Sequence, residues 1–299
     1  MNQRVFLVGA PRSGSGAMLD LITGQPDFAW VSNKVNAAPE KLALSAKNRQ
    51  YDWPLLGEYW FERRYYVKRL PHPAEDTDFW EHYLPKFNVD PKSPRIPGPD
   101  DVSDEEAKRC LDAVNEIQIQ QNKDFFVAQY NEWPRVEMLR KVFPEAKFIQ
   151  LQRDPRSVAF RLAKSWEKEK SETTLWTERE AWKEIMPESL RARFDDLADT
   201  PLNFAGVMVR WWHERYKQEF QGIPDEDWLS LAYADLLSHP QKTVARALKF
   251  LGMKTSPRIK RYVKYHQIQD KNQRLRKDLT DDVAAQLERA VKKVPQQDS

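Results

Sequence analysis

Residues 5–16 read VFLVGAPRSGSG, an apolar run that leads straight into a turn holding three glycines, two serines and one arginine. A continuous apolar run of this length fits a strand buried on both faces, as in a parallel sheet. The glycines allow positive φ and close backbone approach, so the chain can turn sharply and start a helix with successive N–H groups aimed at one point. This strand–turn–helix order restricts the fold to the α/β kind, with the turn at the carboxyl edge of the sheet where such folds bind ligands.

The rest of the chain keeps the alternation. Strands are predicted at residues 4–8, 28–31, 63–69, 125–129, 146–152 and 228–233, and residues 33–60 read as irregular. Helices are predicted at 17–22, at 103–121 with Ser103 and Glu106 as a capping box, at 135–143, and from Asp154-Pro155 onward. Further helices are expected at 243–251, stopped by Gly252, and at 281–294, with 294–299 as a frayed tail. Over 204–220, Phe204, Val207, Met208, Trp211, Tyr216 and Phe220 recur at helical spacing and mark a core face. Residues 166–200 read as a very polar helical insertion, a candidate lid. Residues 1–299 read as one α/β domain with a central, mainly parallel sheet between helical layers.

Composition sets further bounds. Of the 299 residues 31% are charged, and 48 basic against 45 acidic side chains leave only +3, too balanced for a nucleic-acid-coating protein. The single cysteine, Cys110, excludes an internal disulfide and a cysteine-rich metal site and fits a reducing compartment. The N-terminal segment lacks a signal-peptide pattern, and no apolar run approaches the roughly 18 residues of a membrane span, so a cytoplasmic location is expected. His72 and His82 have no partner cluster at zinc spacing, so no metal is expected.

The loop's chemistry is narrower than its shape. Gly9 to Gly14 has the G-x-x-x-x-G spacing of a nucleotide-triphosphatase loop, which would continue with lysine and Ser/Thr. Ser15 and Gly16 stand there instead, so the phosphate-binding lysine and the hydroxyl expected on Mg²⁺ are both missing. The cation sits inside the loop, at Arg12. Such a loop suits an anion gripped without metal, by one guanidinium and several amides.

Three segments in order, VGAPRSGSG, FIQLQRDPRSVAFRLAKS and WLSLAYADLLSHPQKTVARALKFLGM, resemble the signature regions of sulfotransferases, whose 5′-phosphosulfate loop is commonly PRSGTT or PKSGTT. The resemblance implies a P-loop-like three-layer α/β fold and sulfuryl transfer from 3′-phosphoadenosine 5′-phosphosulfate (PAPS), releasing 3′,5′-adenosine bisphosphate. It implies that Arg12, Ser13, Gly14, Ser15 and Gly16 hold the 5′-phosphosulfate, with Arg12 beside the bridging oxygen. It implies that Arg153 grips the 3′-phosphate and that Tyr233 lies beside the adenine. Arg274 and Arg276, in the basic run at 271–277, fall where relatives close a loop over that phosphate. Two departures stand out: Ser15-Gly16 replaces the usual Thr-Thr, and Arg161 stands where relatives carry a serine, with Ser157 and Ser165 nearby.

Transfer to a hydroxyl also needs a base, in-line alignment and a stabilised leaving oxygen. His72, near-neutral by nature, and Glu75, which would need burial to raise its pKa, are the base candidates, with Lys68 assisting at the sulfate. Family members with a lysine-x-histidine-leucine-proline motif keep their base there, and Lys68-Arg69-Leu70-Pro71-His72 matches it out of register. Asn131 and Trp133 follow a strand end within reach of a ligand, while Trp30, Trp53, Trp60 and Trp80 default to core packing. The acceptor is expected to be a small-molecule, lipid or carbohydrate hydroxyl. The competing readings are a small-molecule kinase, opposed by the missing lysine and Ser/Thr, and a non-catalytic nucleotide-binding relative.

Overall fold

In the computed structural model, residues 3–53, 56–73, 76–131, 133–167, 174–265, 268 and 280–292 are described. Their centre is β1 (Gln3–Gly9), flanked by β3 (Phe125–Asn131) and β4 (Lys147–Gln152). β2 (Phe28–Ala29) and β5 (Trp228–Ala232) complete the order β2-β3-β1-β4-β5, and every pairing is parallel. In register, Val5 lies between Val127 and Lys147, and Gly9 lies opposite Asn131. The chain passes from β3 on one side of β1 to β4 on the other, so the strand order switches at the carboxyl end of β1, where open parallel sheets hold their ligands.

From Val5 to Gly9, β1 is buried because successive side chains serve opposite cores. Phe6 and Val8 pack with α4 (Thr77–Tyr83), α5 (Asp104–Gln121), α6 (Val136–Val142) and the C-terminal half of α11 (Pro201–Gln221). Val5 and Leu7 pack with α1 (Ser15–Ile22), α13 (Pro240–Phe250) and α14 (Pro257–Tyr265). These are the three expected layers. The capping box at α5 is present, Glu106 N donating to Ser103 Oγ at 3.2 Å and Ser103 N to Glu106 Oε2 at 2.8 Å. All six stripe residues of α11 are buried. The last helix described, α15 (Asp281–Lys292), packs against α11 and α7 (Pro155–Trp166).

Two expectations are corrected. Residues 63–69 are not a strand: α3 (Leu56–Glu62) runs into turns closed by Tyr66 N to Arg63 O at 2.9 Å and Leu70 N to Val67 O at 2.9 Å. The cause is Arg64, fully buried, whose guanidinium bonds the Asp20 carboxylate and the Tyr262 hydroxyl, a long-range anchor no local pattern encodes. Residues 33–60 are not irregular, since they hold α2 (Asn33–Asn36), a 3₁₀ helix (Leu42–Asp52) and the start of α3. The segment around 174–200, expected to be a helical insertion, is helical. Its short helices α8 (Arg179–Ile185), α9 (Glu188–Arg191) and α10 (Phe194–Leu197) bury Trp182, Leu190, Phe194 and Leu197 against α7 and α11.

Candidate functional site

The glycine-rich loop spans the end of β1 and the start of α1. A Cβ on Gly9 would lie 2.6 Å from Leu151 O and 2.6 Å from Ser13 Oγ, so only glycine lets the loop fold back onto β4. Tyr216 of α11 clamps the same residue, its hydroxyl accepting from Gly9 N and donating to Gly9 O, both at 3.2 Å. Arg12 and Gly14 then take positive φ, 64° and 104°. Gly14 caps α1 without a side-chain bond, and no acidic residue stands in the first turn. The positive end of α1 is thus left for an anion from outside. Ser13 Oγ is buried with no hydrogen-bond partner among the described residues, while Ser15 Oγ donates to Asn131 Oδ1 at the end of β3.

Two distant segments close on this loop. Arg153 sits between β4 and Asp154, whose carboxylate caps α7 by accepting from Arg156 N at 3.0 Å. Arg153 Nη1 donates to Arg12 O at 2.7 Å, and its guanidinium lies 4.5 Å from the centre of the Tyr233 ring. Tyr233, first residue of α12 (Tyr233–Ser238), presses against the loop so closely that a Cβ on Gly14 would meet Tyr233 Cδ2 at 2.3 Å. The sequence segments around 12, 153 and 233 therefore meet in one contact chain.

The loop opens into a cavity of about 890 Å³. Arg12, Arg153 and Arg161 line it with Gly14, Ser15, Gly16 and Tyr233. Ser157 is buried with its hydroxyl 3.5 Å from Asp154 Oδ2, and Ser165 Oγ donates to Leu162 O at 2.7 Å, so Arg161 is the group on α7 that brings charge to the cavity. Asp76, Gln129, Tyr130, Asn131 and Arg135 line it as well, and Asp76 is the sole lining carboxylate among the described residues. Burial first, then the Asp76 charge, holds the Tyr130 phenol well above its usual pKa range. Trp133, Trp166 and Trp182 form an apolar end, with Trp133 stacked on Trp182 at 4.8 Å between ring centres. Among the described residues, no group of three or more His, Cys, Asp or Glu side chains could hold a metal ion.

Of the residues read from the sequence, Arg12, Gly14, Ser15, Gly16, Arg153, Arg161 and Tyr233 share the cavity wall, and Ser13 lies buried within the loop. His72 and Lys68 do not line it. His72 is held by Asn33 through both backbone polar groups, its Nδ1 lies 3.1 Å from Pro73 O, and its ring packs on Tyr65. Lys68 is exposed, its carbonyl accepting from Lys34 Nζ. Glu75, Arg274 and Arg276 lie outside the described residues. Asp76, Gln129, Arg135 and Trp182 were not singled out from sequence. Asp76 had a signal, since it adjoins the base candidate Glu75, whereas Trp182 was hidden by polar neighbours on its own short helix.

The model of the sulfotransferase family matches residues 4–257. The chain belongs to the sulfotransferase family. Its sheet and loop are therefore a transferase scaffold, P-loop-like in fold. Solved structures agree on the fold. Sulfotransferase STF9 from Mycobacterium avium is 15% identical over 90% of this chain and 69% of its own, with a TM-score of 0.50. Sulfotransferase STF1 from Mycobacterium tuberculosis H37Rv is 11% identical over 98% of this chain and 77% of its own, also with a TM-score of 0.50. No curated protein matches the chain. Among the described residues, no helix is long and apolar enough to cross a membrane.

Proposed function

We propose that this protein transfers a sulfuryl group from PAPS to a hydroxyl acceptor. The observation that carries the reading is the contact chain Gly14–Tyr233–Arg153–Arg12, which gathers an uncapped helix start and two guanidinium groups at one end of a cavity. Its features fit a donor with two separate anionic ends. The unpartnered Ser13 hydroxyl, the loop amides and Arg12 suit the 5′-phosphosulfate, and Arg153 with Arg161 suits the 3′-phosphate. Arg274 and Arg276 are proposed to add to that second grip.

The donor contributes a sulfuryl group attached to a phosphate leaving oxygen. Arg12 stabilises the charge that builds on that oxygen, and the loop holds the donor in line with the acceptor. A carboxylate in the cavity wall takes the acceptor proton. Asp76 is in that wall, and its neighbour Glu75 is the second candidate. The stacked indoles in the lining suit an apolar acceptor body. A kinase reading lacks support, because Ser15 and Gly16 replace the lysine and the Mg²⁺-binding hydroxyl.

Incubation with ³⁵S-labelled PAPS and a panel of phenolic, steroidal, lipid and sugar alcohols tests the proposal. Labelled sulfate ester from at least one acceptor, with no metal added, is expected. Absence of transfer across the panel alongside phosphate transfer from Mg·ATP would replace it with the kinase reading.

A further inference from the structure

Large apolar side chains that stand exposed are concentrated in one place. Among the described residues, Trp53, Leu56, Tyr59, Tyr65 and Tyr66 fall in one short stretch, and only Ile96 and Ile119 are exposed elsewhere. Trp53 is 59% exposed and Tyr66 87%. Contacts run through the stretch: Gly57 N bonds Trp53 O, Leu56 and Tyr59 lie one turn apart on α3, the Arg63 guanidinium lies 3.8 Å from the Tyr59 ring centre, and Tyr66 N bonds Arg63 O. Tyr66 in turn lines the mouth of the donor cavity.

Charge on this surface is one-sided. An open hollow of about 680 Å³ is lined by Trp53 with Lys47, Arg49 and Arg69, and none of these three cations has an ion-pair or hydrogen-bond partner among the described residues. The carboxylates along it are each paired: Asp52, which also lines the hollow, with Lys123 at 2.7 Å, Glu58 with Arg261 at 2.5 Å and Glu62 with Arg63 at 4.0 Å. Exposed indole and phenol rings beside unpaired Lys and Arg have the chemistry of a protein–lipid interface, where amphipathic rings sit at headgroup level and cations meet anionic lipid. A symmetric contact with a second copy would press these cations against each other, which disfavours self-association through this face.

We propose that this surface, from the Lys47–Arg49–Arg69 hollow to Tyr66, docks on an anionic phospholipid bilayer. The docking places the cavity mouth at the headgroup level. If the sulfuryl-transfer reading holds, the acceptor class is then a membrane-borne amphiphile; the docking itself does not depend on that reading.

Vesicle flotation of the full chain tests it, with phosphatidylcholine vesicles against the same vesicles carrying about 30% phosphatidylserine. Binding to the anionic vesicles alone is expected, falling at least about tenfold in roughly 0.5 M salt and in K47E/R49E/R69E. W53S/L56S should weaken it by a similar factor at low salt. Titration with 3′,5′-adenosine bisphosphate should be unchanged in both variants, which shows that they fold. No flotation, flotation indifferent to phosphatidylserine, or a concentration-dependent dimer abolished by W53S/L56S would overturn the docking. So would affinity for inorganic phosphate or an acidic peptide that the charge reversal removes while flotation stays absent. Flotation without bisphosphate binding by the unmodified chain would keep the docking and sink the donor reading.

Discussion

At the scale of single residues the account turns on Arg12, Gly14, Arg153 and Asp76. Removing Arg12 takes away the cation proposed at the leaving oxygen, so Arg12→Ala should lower kcat by about 10²–10³-fold with a smaller change in donor affinity. Arg153 is assigned to binding, and Arg153→Ala should weaken the bisphosphate by about 10–100-fold in calorimetry, the loss of charge-assisted bonds. Near-wild-type values in both variants would remove the assignment. Gly14→Ala meets both a φ of 104° and a Tyr233 carbon 2.3 Å away, so it should abolish bisphosphate binding even if the protein folds. On the base, Asp76→Asn should lower kcat while leaving bisphosphate affinity intact, and His72→Ala, outside the cavity wall, should not. The anion-binding half of the site was legible because loop glycines and RDPR are local patterns. The acid–base half was not, because whether His72 or Asp76 faces the cavity depends on long-range packing, and no local pattern encodes that.

At the scale of elements, α11 does two jobs. Tyr216 clamps Gly9, and Glu219, one turn later, accepts from Val136 N at 2.8 Å at the start of α6. Burial raises the Glu219 pKa from 4.5 to about 7, outweighing the Val136 N–H and the Arg215 charge. A raised folded-state value means the folded chain holds this proton more tightly than the unfolded chain does. Stability from this group is therefore greatest below about pH 4.5 and is lost as pH rises toward about 7. Urea unfolding at several pH values should show that decline, and Glu219→Gln should flatten it. The amphipathic stripe of α11 and the capping box of α5 were legible because their partners lie within a few residues. The 63–69 segment was not, because its aromatic and β-branched run Tyr65-Tyr66-Val67 imitates a strand while Arg64 answers to Asp20, far away in sequence.

At the scale of the whole molecule, one sheet with its order switching at β1 explains why motifs at 9–16, 153–161 and 233 converge although long stretches separate them. The two cores on either side of β1 were legible from its unbroken apolar run, and the α11 face of the third was legible from the spacing of Phe204, Val207, Met208 and Trp211; the part built by Trp182, Leu190, Phe194 and Leu197 was not, because those residues are spread thinly through polar segments. The Arg64–Asp20–Tyr262 cluster ties α1 to the C-terminal α14. Asp20→Ala would leave a buried guanidinium without its counter-ion and should lower stability by about 3–5 kcal/mol in urea unfolding. The convergence of motifs is what the functional account rests on, and calorimetric titration tests it directly. 3′,5′-Adenosine bisphosphate is expected to bind the unmodified chain in the presence of EDTA and to bind far more weakly to Arg153→Ala. Tight binding of Mg·ATP with no detectable binding of the bisphosphate would contradict it.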